Sequence, residues 1–157
     1  MHSSHTLWAG GLALASMILL SSCSTLTIRD VDFGWPVESV QMVSASNRIE
    51  DVRYALSMSA SSLATEEFED STALIGREVR ILRNRDGLYF ITGPRFRSVY
   101  VFAPSNGELS LTNKLEVSPT GMSNPALNQR SPFVELLDGA SFRRMLTGDE
   151  IIERTTP

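Results

Sequence analysis

Apolar and polar positions change rhythm several times along the chain, and each rhythm predicts a different element. The clearest alternation is "EDVRYALSMS", where Val52, Tyr54, Leu56 and Met58 alternate with Asp51, Arg53, Ala55, Ser57 and Ser59. Successive side chains of a strand point to opposite faces, so a period of two marks a half-buried strand. Residues 37–45 read as a preceding strand, and "SASNR" supplies turn chemistry, with Asn47 suited to the left-handed conformation. The two strands are expected to pair as a hairpin. "SSLATEEFED" then breaks the alternation. It predicts a short helix over residues 62–69, capped by Ser61 or Ser62, with acids in its first turns where the helix dipole favours them.

A second β unit follows. "REVRILR" and "LYFIT" flank "NRDG", and an Asp-Gly turn between apolar runs is a strong hairpin signal. "SVYVFA" is apolar on both faces, Val99 and Val101 on one and Tyr100 and Phe102 on the other, as expected of a strand covered from both sides. "PSNG" turns the chain into "ELSLT". Residues 118–132, "SPTGMSNPALNQRSP", read as a long irregular loop, a kind that in compact domains is often functional. "FVELLD" reads as a last strand, "ASFRRMLTG" as a short helix with Ser141 near its cap and Gly148 past its end, and "DEIIERTTP" as a frayed tail. The fold class expected is mainly β: an antiparallel meander forming a small sandwich or barrel, with one or two short helices. Val52, Tyr54, Leu56, Met58, Val99 and Val101 are its expected core.

The N-terminus follows another pattern. No charged residue precedes Arg29, and Leu7 to Leu20 is an uncharged, mostly apolar run. A bilayer-spanning helix needs roughly 20 apolar residues, whereas a secretory signal peptide needs about 7–15. The run ends at Leu20, Ser21, Ser22 and Cys23. An aliphatic residue, two small residues and a cysteine resemble the lipobox of bacterial lipoproteins. The resemblance covers residues 1–24 and implies that residues 1–22 are a signal peptide removed by cleavage. It further implies that Cys23 carries a diacylglycerol and, commonly, an acyl group on its new amine. Residues 23–28 would then be a lipidated tether, with "STLTI" an extended link or first strand, and residues 29–157 a single β-rich domain. Ser24 after the cysteine implies the outer membrane, because an aspartate there tends to signal inner-membrane retention. One acyl chain holds a protein only marginally and two hold it stably, at about 0.8 kcal/mol per buried methylene.

Composition bounds what such a domain can do. The chain has 157 residues, enough for one ordinary domain, and a net charge of -4, which argues against a nucleic-acid partner. Removal of residues 1–22 takes both histidines, and lipidation consumes the single cysteine. Zinc sites built from His or Cys, and nucleophile systems that use His as base, are excluded on that reading. Lys114 is the one lysine, and no glycine-rich phosphate loop is present. No cofactor is expected. Carboxylates are the remaining catalytic equipment, with Glu66, Glu67, Glu69 and Asp70 in the run "EEFED", although a charge run is usually a solvated face.

Arginine outnumbers lysine thirteen to one, and the densest local arrangement is "GPRFRSVY". On an extended chain Arg95 and Arg97 share one face and could grip an anionic ligand, although the commoner role of such a pair is to bind nearby acids and cover apolar surface with its stems. Trp35 and Tyr89 are aromatic candidates for sugar stacking. The expected function is a lipid-anchored, non-catalytic envelope module that binds a protein or glycan partner. The alternatives are a barrel carrying an apolar ligand and a carboxylate-only hydrolase. Replacing Cys23 with Ala is expected to abolish incorporation of labelled fatty acid and to move the protein from the membrane to the soluble fraction. Unchanged membrane fractionation would contradict the anchor.

Overall fold

The computed structural model describes residues 37–140 and 142–152. The expected signal peptide, Cys23, the tether with "STLTI", Trp35, the Ser141 cap and residues 153–157 lie outside the described residues. The described residues are mainly β and antiparallel and form a small sandwich, with no closed barrel among them. Its elements are β1 (Ser39–Met42), β2 (Arg48–Asp51), β3 (Leu56–Ser59), α1 (Ser61–Phe68), β4 (Glu78–Arg83), β5 (Tyr89–Thr92), β6 (Ser98–Ser105), β7 (Glu108–Glu116), β8 (Pro125–Arg130), β9 (Phe133–Asp138), β10 (Phe142–Leu146) and β11 (Ile151–Ile152). A five-stranded sheet runs in the order β1-β4-β5-β6-β7 and a four-stranded sheet in the order β11-β10-β9-β8, while β2 and β3 pair as a separate hairpin.

The middle strands of the larger sheet are buried on both faces. Strand register puts Val79, Ile81, Tyr89, Ile91, Tyr100 and Phe102 on one face and Leu82, Phe90, Val99 and Val101 on the other. Helix α1 and the β2–β3 hairpin cover the first face. There Phe68 meets Phe96 edge-on at 5.4 Å, Phe96 meets Tyr100 at 6.1 Å, and Tyr54 meets Tyr89 at 5.7 Å. Leu127, Val134, Leu136 and Leu146 of the smaller sheet belong to the same core. A polar clasp joins the sheets: Glu38 Oε1 accepts the Leu127 amide at 2.6 Å, and Glu38 Oε2 lies 2.9 Å from Arg80, which also pairs with Glu78 at 2.8 Å.

The hairpin around Asp86-Gly87 and the helix, which runs 61–68 against the expected 62–69, follow the sequence. Several expectations need correction. Residues 51–59 are not one strand: the Asp51 carboxylate accepts the Arg53 amide and closes a 3-10 turn over Val52–Tyr54, which ends at Ala55 in the left-handed region. The alternation is lost at that turn, and Val52, expected in the core, is 94% exposed. Tyr54, Leu56 and Met58 are half-buried against the core, while Ile49 in β2 is fully buried. β1 pairs with β4, not with the strand that follows it.

The helix α1 has Ala60 as its N-cap and no acid in its first turn; Glu66 and Glu67 fall in its last turn. Residues 118–132 are a loop only in their first half, since Pro125 opens β8, an edge strand where a missing amide is tolerated. "ASFRRMLTG" is not a helix. Gly139, at φ 63°, turns the chain after Asp138 and folds β10 back on β9.

The exposure contrast between neighbouring positions is testable. Ile49→Ala is expected to lower unfolding free energy by about 2–5 kcal/mol. Val52→Asp is expected to leave it within about 0.5 kcal/mol of the parent in the same denaturant titration. Equal losses would show that the turn is misplaced.

Candidate functional site

The sequence places its candidate ligand grip at Arg95 and Arg97, and the structure shows what holds them. The backbone is not extended there. Phe96 N–H donates to the Gly93 carbonyl at 3.1 Å, closing a turn with Pro94 second and Arg95 third, and Arg95 has φ 71°. Proline followed by a positive φ is the residue pattern of a type II turn. A second loop locks it: Arg95 N–H donates to the Met122 carbonyl and Met122 N–H to the Phe96 carbonyl. A Cβ on Gly121, itself at φ 86°, would lie 2.7 Å from the Arg95 carbonyl oxygen, so this close approach requires glycine.

Both arginines converge on the C-terminal end of α1 by different means. Arg97 lies 3.7 Å from Glu67 Oε1, its backbone amide donates to that oxygen, and its guanidinium donates to the Glu67 carbonyl at 3.4 Å. The Arg95 guanidinium stands 5.9 Å from the Phe68 ring centroid, and Arg77 stands 5.8 Å from the same centroid. Lys114 donates to the Glu66 carbonyl at 3.1 Å and lies 3.6 Å from the Glu66 carboxylate. The last carbonyls of a helix are unpaired and carry its negative dipole end, so cations belong there. They also offset the acids of the last turn.

Glu67 is the buried member of the cluster. The Tyr100 hydroxyl donates to its Oε2 at 2.8 Å. Burial, then donation to the Glu67 carboxylate and its charge, raise the Tyr100 phenol well above its ordinary range, so Tyr100 stays a proton donor. Leaving such a carboxylate unpaired costs about 3–5 kcal/mol, which makes the arrangement structural. The run "EEFED" is thereby divided among separate partners: Glu66 with Lys114, Glu67 with Tyr100 and Arg97, and Asp70 with Thr72. Glu69 occupies the helix C-cap at φ 59°. Tyr89, the candidate for sugar stacking, is buried between Tyr54 and Arg83.

A second cluster went unseen in the sequence. Glu135 lies on the outer face of the smaller sheet, buried by its own partners: Arg130 donates to it at 3.0 Å, Asn128 at 3.2 Å, and Arg143 donates to its other oxygen. Strands β8, β9 and β10 place these groups side by side, whereas the sequence pattern puts Arg130 in a loop and Arg143 in a helix and so does not show the network. Asp138-Gly139 was the available signal, an Asp-Gly pair that would have turned the chain into a third strand. Asp138 itself accepts the Ser123 and Asn124 amides at 3.0 and 2.6 Å and fastens the β7–β8 connection. Among the described residues, no group of three or more His, Cys, Asp or Glu is placed to hold a metal ion.

Burial opposes ionisation of Glu135, yet the hydrogen bonds from Arg130 and Arg143, the charge of Arg143 and the Asn128 amide outweigh it, so its carboxyl titrates below the usual range. A carboxyl depressed in the folded state adds stability that is complete above its unfolded value and is lost as pH falls through the folded one. Melting temperature is therefore expected to fall as pH drops below the ordinary 4.5. Glu135→Gln is expected to start lower at neutral pH and to show a shallower acid decline by calorimetry; parallel declines would rule out this role. Compared with known proteins, the chain matches no family model, no curated protein and no solved structure.

Proposed function

We propose that the chain is a lipid-anchored β-domain of the bacterial cell envelope that works by binding rather than catalysis. It holds an envelope protein or glycan partner close to the membrane. Cys23 is its lipid-bearing residue, and the outer membrane, on its periplasmic or external face, is its location. The observation that carries this reading is the apolar run ending at Leu20, Ser21, Ser22 and Cys23 ahead of a β-rich domain. The internal partnering of Glu66, Glu67, Asp70 and Glu135 supports the non-catalytic part, because acids engaged in ion pairs and turns are poorly placed to exchange protons with a substrate.

The exposed Arg95 is the contact residue on this reading. Its guanidinium is held over Phe68 by one face, and its edge donors are directed at no carboxylate among the described residues. Arg97 plays a mixed part, because it also neutralises the buried Glu67.

A photo-crosslinking residue at position 95 of the full-length anchored protein is expected to give a discrete adduct in intact cells, weakened at least tenfold by Cys23→Ala. The same probe at Asn106, exposed in the β6–β7 turn, is expected to give none. A purified protein that cleaved glycosidic bonds, and lost that activity on one Asp or Glu substitution, would replace binding with hydrolysis.

A further inference from the structure

The described residues expose six large hydrophobic side chains, and four of them lie on β1 or beside it: Val37 at 58%, Val40 at 47%, Met42 at 61% and Val52 at 94%. Val40 and Met42 share one face of β1, the edge strand of the larger sheet. Val52 is tied to that edge through its neighbours in the chain. It rides on the 3-10 turn whose next two residues grip the start of β1: Arg53 donates to the Glu38 carbonyl at 3.1 Å and Tyr54 to the Val37 carbonyl at 3.0 Å. The exposed apolar side chains thus gather at a single edge. Val52 is also held there on purpose by the fold, since Asp51 caps the turn and Ala55 closes it in the left-handed conformation, φ 48°. A non-glycine residue at positive φ is costly, and it persists only where the surrounding structure requires it.

This edge is the part of the domain joined to Cys23. Residues 24–36 separate the cysteine from Val37, thirteen residues in all. A chain of that length spans at most about 50 Å when fully extended. We infer that the β1 edge, with Val37, Val40, Met42 and Val52, is a membrane-docking surface that rests on the lipid bilayer carrying the Cys23 anchor. The inference rests on the lipoprotein reading above and adds the orientation of the domain.

Four aliphatic side chains bind a bilayer weakly by themselves. A short tether changes that, because an attached surface meets its partner at an effective concentration of about millimolar. A docking surface of millimolar affinity is then engaged about half the time. The charged groups at the edge are compatible with this placement. Arg53, beside Val52, has its charge partly offset by Asp51 at 3.9 Å and its guanidinium held on the Glu38 carbonyl, with its side chain half exposed. Glu38 is turned inward onto Arg80. Arg48 and Glu50, both exposed, lie 3.8 Å apart and cancel each other's charge.

The test uses the full-length acylated protein in vesicles of phosphatidylethanolamine and phosphatidylglycerol. Val52→Cys adds the one free thiol for a fluorescent label, because the natural cysteine is the lipid-bearing one. Thr120→Cys, exposed in the connection beyond β7 at the opposite edge of the larger sheet, is the comparison. The label at 52 is expected to be quenched by brominated lipid and to be reached by aqueous iodide at least threefold less readily than the label at 120. Equal access of iodide to both positions would overturn the inference, and so would shielding at 52 without lipid quenching, which would mean that a second copy covers the edge. The mass of the N-terminal peptide separates the two readings. Acylated Cys23 with an open position 52 removes the docking surface alone, whereas unacylated Cys23 removes the anchor and the docking surface together.

Discussion

Enclosure of β5 on both faces is the constraint on which the remaining structure rests. Tyr89, Phe90, Ile91 and Thr92 are all buried, so one sheet has to be covered twice within a single modest domain. The smaller sheet supplies one cover. Helix α1 and the β2–β3 hairpin supply the other, and neither is large. An eight-residue helix is marginal alone in water, so its persistence depends on Leu63 and Ala64 in the core and on Phe68 against Phe96. The helix and the sheet stabilise each other, and neither is a separate unit.

Three clusters of partnered carboxylates tie these layers and strands together. Glu67 ties the helix to the sheet through Tyr100 and Arg97, Glu38 ties the two sheets through Arg80 and the Leu127 amide, and Glu135 ties β8, β9 and β10 across their outer face. Buried ion pairs add little net stability over well-packed apolar groups, but breaking one is expensive. Their effect here is to define register: a slip of one residue in β9 would turn Glu135 towards the core and strand its arginines. The excess of arginine over lysine is in large part accounted for by these pairings and by guanidinium stacking on Tyr54, Phe68, Tyr89 and Phe142.

The sequence was legible where structure is decided locally. The Asp86-Gly87 hairpin, helix α1 and the two-faced strand at Val99 to Phe102 all follow from neighbours in the chain. It misled where a local device cut across a longer pattern. Asp51 closing a turn on Arg53 put Val52 in solvent although the alternation around it is regular. The partner of β1 could not be read at all, because nothing in Ser39–Met42 distinguishes β4 from β3. At the candidate site, the residue types at 95 and 97 were visible, but not their shared dependence on α1, since Pro94 turns the chain between β5 and β6 and sends the two side chains to different partners. The Glu135 cluster was hidden for the same reason, being assembled from three strands of which only one was recognised.

The pairing of β1 with β4 also sets an order of events. Ser39 lies opposite Ile81, whereas β8, β9, β10 and β11 each pair with a neighbour in sequence. As the chain emerges during synthesis, the smaller sheet needs only short loop closures, but β1 has no partner until the β2–β3 hairpin, α1 and β4 have all followed it. Long-range pairings of this kind close slowly, because loop entropy is spent before contacts return it. The first described strand is therefore secured only after the β2–β3 hairpin, α1 and β4 have been made, and a chain interrupted before residue 78 ends with Val40 and Met42 on an unpaired edge.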